Sequence, residues 1–162
     1  MQVTGHIVPV WNEDFKTLLF ARHPDPYRGF DLVDAKDKNR YNEIGVFVAP
    51  GDVFGYLGGH WPELSTKVFQ ISKMTTGMIL PQHVDRYQTY RQKNNIEDIN
   101  SIHRIIVFLD DWQAGHYLEV NGKPFINWRA GDWVRWQGQT PHLAVNLGKE
   151  DRYTLQITGI KN

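Results

Sequence analysis

Downstream of residue 66 the chain alternates short apolar runs with turn residues, at intervals too close for a succession of helices. Lys67–Met74 (KVFQISKM) is followed by a run through Met78, Ile79 and Leu80 that opens at Gly77. Ile102–Leu109 (IHRIIVFL) is rich in β-branched residues and stops at Asp110-Asp111, the signature of a buried strand. Tyr117–Val120 and Pro124–Trp128 flank Asn121-Gly122, the strongest short hairpin signal in a sequence. WVRW lies between Gly131-Asp132 and Gly138, His142–Asn146 follows, and Arg152–Ile160 completes the series. About eight strands joined by short turns predict a barrel or jelly roll.

Upstream, Val46–Ala49 reads as one more short strand. A helix is expected over Trp11–Arg22, where Trp11, Phe15, Leu18 and Leu19 recur at helical spacing before His23-Pro24-Asp25-Pro26. Residues 31–43 are polar and read as a surface excursion. The stretch Arg86–Asn100 reads as a short helix or loop, and GDVFGYLGGHWPE (51–63) as a glycine-rich aromatic loop beside the site. The expectation is a mostly β single domain over 1–162, with residues 1–65 packing as an extension on a barrel core of 66–160.

Composition narrows the function classes. The 18 Lys+Arg balance 18 Asp+Glu, so nothing favours the broad basic surface that nucleic acid or an anionic membrane requires. No run approaches the roughly 18 apolar residues of a membrane span, and the N-terminus lacks the pattern of a secretory signal, so a cytoplasmic location is expected. Cysteine is absent, which excludes disulfides, thiolate metal ligands and cysteine nucleophiles.

The chemistry begins at His83-Val84-Asp85. On an extended segment residues i and i+2 project to one side, so an imidazole and a carboxylate can share an ion. The same His-X-Asp spacing occurs at His23, but there a proline-rich turn surrounds it, whereas His83 follows the apolar strand GMILPQ. A third ligand has to come from a distant strand, and His142 at the start of HLAVN suits. Two histidines and one carboxylate leave positions open, as in the facial triad of non-haem Fe(II) oxygenases. Along RYTLQITGI, Arg152, Thr154, Gln156 and Thr158 share one face, with Tyr153, Leu155 and Ile157 on the other. If the polar face lines a lumen, Arg152 wants a bidentate carboxylate there.

At this point GMILPQHVDRY, RIIVFLDD, GDWVRWQGQTPHLAVNLG and DRYTLQITG, in this order and spacing, resemble the 2-oxoglutarate/Fe(II)-dependent dioxygenases. The resemblance covers residues 66 to 160 and is greatest to the aspartyl/asparaginyl β-hydroxylase-like and prolyl-hydroxylase-like branches. The full His-Val-Asp motif departs from those β-hydroxylases that lack the carboxylate ligand. The resemblance implies a double-stranded β-helix (a jelly-roll, cupin-like barrel) in which His83, Asp85 and His142 hold Fe(II) and Arg152 clamps the far carboxylate of 2-oxoglutarate. Thr154 and Arg104 would be further co-substrate contacts. With O2, and ascorbate as a reductant, co-substrate decarboxylation to succinate would be coupled to hydroxylation of a small molecule or of a peptide or protein.

Other readings stay open. A cupin-like metalloenzyme, either an isomerase or a 2-oxoglutarate-independent dioxygenase, shares the barrel, and so does a non-catalytic small-molecule-binding module. Arg104 alternates with Ile106 and Phe108 and could instead snorkel at a core edge. Lys73 is expected to be solvated, and His103 and His116 to sit on strand surfaces. Trp133 and Trp136 must fall on opposite faces of WVRW. The prime substrate stays open among peptidyl proline, peptidyl aspartate or asparagine, and a free amino acid.

Overall fold

The computed structural model describes residues 2–23 and 44–162; the turn at Pro24–Pro26 and the polar stretch 31–43 lie outside them. Strands β1 (Gln2–His6), β2 (Ala21–Arg22), β3 (Phe47–Pro50), β4 (Leu64–Met74) and β5 (Ile79–His83) precede the helix α1 (Gln88–Asn94). They are followed by β6 (Ile102–Phe108), β7 (His116–Val120), β8 (Lys123–Phe125), β9 (Asp132–Gln137), β10 (His142–Asn146) and β11 (Arg152–Lys161). Two antiparallel sheets result, a seven-stranded one in the order β1-β9-β6-β11-β4-β3-β2 and a four-stranded one in the order β5-β10-β7-β8. Strands adjacent in sequence often lie in different sheets, so the chain winds back and forth between the layers.

Period-2 alternation sorts the apolar residues into two clusters, one on each face of the large sheet. Between the sheets lie Met74, Ile106, Phe108, Leu118, Val134 and Trp136 among others. On the outer face Ile71, Ile105, Val107, Leu155 and Ile157 pack against Phe15, Phe54, Leu57 and Trp61. Trp136 therefore joins the inner cluster while Trp133 meets Trp61 edge-on outside, at 5.4 Å between ring centroids.

Two expectations for the N-terminal third are corrected here. The helix expected over Trp11–Arg22 is only a 3-10 turn, Glu13–Thr17, whose amide at Asp14 donates to the side chain of Asn12. Leu18 turns extended, and the chain leaves the turn to form β2 against β3, an antiparallel pairing that places Ala21 opposite Val48. Trp11 and Phe15 still face the core, but Leu19 is 92% exposed. The segment 51–63 is not a loop beside the cavity between the sheets. It forms a 3-10 helix, Asp52–His60, which buries Phe54 and Leu57 in the outer cluster.

Asn146 ties the strand ends together. Its side-chain amide donates to the carbonyls of Met74 and Glu150 at 2.8 Å each, and its side-chain oxygen accepts from the Gly148 amide at 2.9 Å. Asn146→Ala would remove all three bonds and leave the buried Gly148 amide without its acceptor, at a cost of about 2–4 kcal/mol. Urea denaturation checks this through a lower midpoint at unchanged slope.

His103 is buried on the outer face and accepts a hydrogen bond at Nδ1 from Arg135 Nε at 3.0 Å. Burial and the Arg135 charge push its pKa down to about 4. Between the ordinary histidine value near 6.5 and that value, the unfolded chain binds the proton and the folded chain does not. Stability is therefore greatest above pH 6.5 and falls as pH drops towards 4. In a pH series of thermal melts, His103→Gln is expected to flatten that decline relative to the parent.

Candidate metal centre and lumen

The cavity lies between the sheets, with a volume of about 610 Å³. His83 ends β5, His142 begins β10, and the two face one another in the antiparallel register. Their rings lie 4.3 Å apart between centroids. Asp85, two residues beyond His83, places one carboxylate oxygen 3.6 Å from His83 Nε2 and the other 3.5 Å from His142 Nε2. One ligand atom from each of the three lies within 4.8 Å of the others.

Backbone carbonyls set the tautomers. His83 Nδ1 donates to the Pro81 carbonyl at 2.7 Å, and His142 Nδ1 to the Thr140 carbonyl at 2.9 Å. With a proton held on Nδ1, each Nε2 is the nitrogen turned towards Asp85 and towards a shared ion. Burial, partly offset by Asp85, pushes the His142 pKa down to about 4, so this ring is neutral near pH 7. Burial alone would raise the Asp85 carboxyl, but Arg104, His142 and His83 hold it below the usual carboxylate range. One Asp85 oxygen, Oδ2, is buried with no hydrogen-bond donor. Two imidazole Nε2 atoms and a carboxylate held ionised, all within 4.8 Å of one another, fit a divalent cation such as Fe(II) or Zn(II).

Alternation along β11 sends Arg152, Thr154, Gln156 and Thr158 into the lining of the lumen. Arg152 is buried at 4% exposure, and its guanidinium meets a sulfur and an aromatic face. Nη1 lies 3.3 Å from Met74 Sδ, and the group sits 5.6 Å from the centre of the Trp128 ring. Its Nε has no acceptor, and among the described residues no carboxylate forms an ion pair with it. Burial pushes its pKa down to about 10, so it remains cationic at neutral pH.

Thr154 is buried beside it, opposite Ser72 of β4. Arg104 lies elsewhere. It stands opposite Thr158 near the other end of β11, with Nη2 3.4 Å from Asp85 Oδ2 and its guanidinium 4.9 Å from the centre of the Tyr87 ring. The alternation that put Arg104 with Ile106 and Phe108 showed its direction, but only the fold shows that Asp85 is the group it meets.

Lys73, His103 and His116 fall outside the lumen. Lys73 pairs with Asp151 at 3.5 Å. His103 and His116 are buried rather than on strand surfaces, the latter with Nε2 bonded to the Glu150 carbonyl at 2.8 Å. The 86–100 stretch contains α1 and a short 3-10 turn, and Arg86 to Tyr90 line the cavity. Two lining residues had no distinguishing signal in the sequence. Trp136 packs 4.9 Å from the His142 ring, and Tyr87 takes a left-handed backbone conformation with φ of 50°.

No family model matches the chain, and no curated protein matches it in sequence. Solved structures do match. A predicted oxalate decarboxylase from Thermotoga maritima aligns with a TM-score of 0.51 at 14% identity, covering 90% of this chain and 95% of that one. A Pseudomonas putida prolyl-4-hydroxylase aligns at 0.51 and 17% identity, covering 92% and 96%. The fold is a double-stranded β-helix. In this double-stranded β-helix the triad sits at facing strand ends, where β5 and β10 deliver His83 and His142. No helix among the described residues is long and apolar enough to cross a membrane.

Proposed function

We propose that this protein is an Fe(II)- and 2-oxoglutarate-dependent oxygenase acting as a hydroxylase. The observation that carries the reading is Arg152, a buried guanidinium that pairs with no carboxylate among the described residues, lining the same cavity as His83, Asp85 and His142. A cation buried without a counter-charge is costly, and persists where a bound ligand supplies the missing anion. A dicarboxylate reaching from the triad to Arg152 would satisfy both ends of the lumen. The two structural neighbours align equally well, so the fold leaves oxygenase and other cupin-like metalloenzymes level, and Arg152 favours the oxygenase.

In this reading His83, Asp85 and His142 hold Fe(II). The metal supplies O2 chemistry in which 2-oxoglutarate becomes succinate and CO2, one oxygen atom entering succinate and the other a substrate C–H bond. The chain's own residues bind, orient and exclude water. Pro81 and Thr140 keep the imidazole protons on Nδ1. Arg152 receives the distal carboxylate, with the Thr154 hydroxyl beside it. Met74, Trp128 and Trp136 keep the lumen apolar around these charges, which strengthens each ionic contact.

The test is succinate formation from 2-oxoglutarate by anaerobically purified protein given Fe(II), ascorbate and air. Iron-dependent succinate, abolished in His142→Ala, is expected. Absence of both turnover and 2-oxoglutarate binding to the Zn(II)-loaded protein would overturn the reading and leave a cupin-like metalloenzyme in its place.

A further inference from the structure

We propose that the lumen accepts a second carboxylate at Arg104, and that the prime substrate is therefore an acid. It binds through the α-carboxylate of a free amino acid or the side-chain carboxylate of an acidic peptide residue. This inference rests on the oxygenase reading and adds the substrate class to it.

The two lumen arginines are separated by the register of β11. Arg152 stands opposite Met74, and Arg104 opposite Thr158, six residues further along. At about 3.3 Å per residue, roughly 20 Å of strand separates those rows. Arg104 belongs to the end that holds Asp85 and is bordered by α1, a helix with no buried residue. That spacing is of backbone, and both long side chains reach into one lumen, but the carboxylate held by Arg152 belongs to a different row from Arg104, which is left for another ligand.

Charge points to the nature of that ligand. Among the described residues Asp85 is the only carboxylate lining the cavity, whereas Arg86, Arg104 and Arg152 all line it. A divalent metal on Asp85 engages the one negative charge that Arg104 now faces. The dianionic co-substrate then balances the metal and Arg152 less the Asp85 charge, and the positive charge of Arg104 is left over. Arg104 carries it at 9% exposure, with an Nε that has no acceptor. A carboxylate supplies the missing charge and can bond a guanidinium through two parallel contacts. The Arg104 guanidinium carbon already lies 4.9 Å from the centre of the Tyr87 ring, a contact that restrains the side chain before a ligand arrives.

The experiment uses Mn(II)-loaded protein under argon, saturated with 2-oxoglutarate, and reads tryptophan fluorescence, since Trp136 lines the cavity. The probes are the free L-amino acids with their amides, and acetylated, amidated pentapeptides with central Asp or Glu against Asn or Gln. The expected result is an acid bound at least ten-fold more tightly than its amide. The class of the responding probe distinguishes an α-carboxylate from a side-chain one. Arg104→Gln should erase that preference while weakening 2-oxoglutarate far less than Arg152→Gln does, and Arg104→Lys should restore part of the preference.

No acid preferred over its amide would overturn the inference, and so would Arg104→Gln weakening 2-oxoglutarate as much as Arg152→Gln does. The two readings fail separately. Binding of 2-oxoglutarate without any acid preference removes only the second site. An Arg104-dependent acid preference in protein that binds no 2-oxoglutarate removes only the co-substrate assignment.

Discussion

Arg152→Met is expected to weaken 2-oxoglutarate binding to the metal-loaded protein by about 100-fold while raising the melting temperature of the ligand-free protein. The two effects share one cause. In the free protein the guanidinium is buried against Met74 and Trp128, with no carboxylate among the described residues paired to it. Methionine nearly fills the same volume with no charge, and replacing buried ions by apolar groups of similar size is often stabilising by 1–4 kcal/mol. With ligand present the balance reverses, because a buried bidentate ion pair is worth on the order of 2–5 kcal/mol in affinity. Calorimetric titration of 2-oxoglutarate and thermal melts of the same samples check both halves. A variant that loses stability and keeps its affinity would show that Arg152 serves packing alone.

Asp85→Asn is expected to have the largest effect on metal affinity, well beyond the roughly 100-fold that outer-sphere partners command. The carboxylate is the only anionic member of the triad, and both of its oxygens lie within 3.6 Å of a histidine Nε2. The amide keeps the shape and one oxygen but loses the charge. It also strands Arg104, which would face neutral groups where it now faces a carboxylate at 3.4 Å. Metal-free Asp85→Asn should therefore melt below the parent. Competition titrations of Zn(II) against a chromophoric chelator measure the affinity, and melts without metal measure the second effect. Parent-like Zn(II) affinity would place the metal elsewhere.

The strands after residue 66 were legible because half-buried sheets impose a period of two on the chain. Arg152–Lys161 alternates polar and apolar residues over its length, and that alternation places Arg152 and Thr158 in the lumen and Leu155 and Ile157 in the outer cluster. The turn at Asn121-Gly122 was legible for a different reason. Both residues adopt positive φ, at 50° and 77°, which those residue types tolerate best. The i, i+2 spacing of His83 and Asp85 likewise states that the two share a side, wherever the strand lies.

The N-terminal third was less legible because its structure answers to distant partners. β1 exists through pairing with β9, more than a hundred residues away, where Gln2 lies opposite Trp136. Leu18 and Leu19 continue a helical spacing, yet pairing of β2 with β3 prevails over it. The aromatic segment 51–63 looks like a loop until the outer face of the large sheet offers Phe54 and Leu57 a place to be buried. Local propensity is weak beside burial of a whole apolar face.

The sequence by itself determined the β class, the order and boundaries of most strands, and which residues of each strand share a face. It did so because side-chain direction in an extended chain follows from covalent geometry alone. Only the tertiary structure decided that His142 faces His83 across two strands, that Arg104 meets Asp85 while Arg152 meets no carboxylate among the described residues, and that these groups line one cavity. Those are relations between residues far apart in the chain. They depend on strand order and on the register shift between His142 and Ala144. Where a buried charge finds its partner is a property of the closed barrel, in which water no longer competes for it.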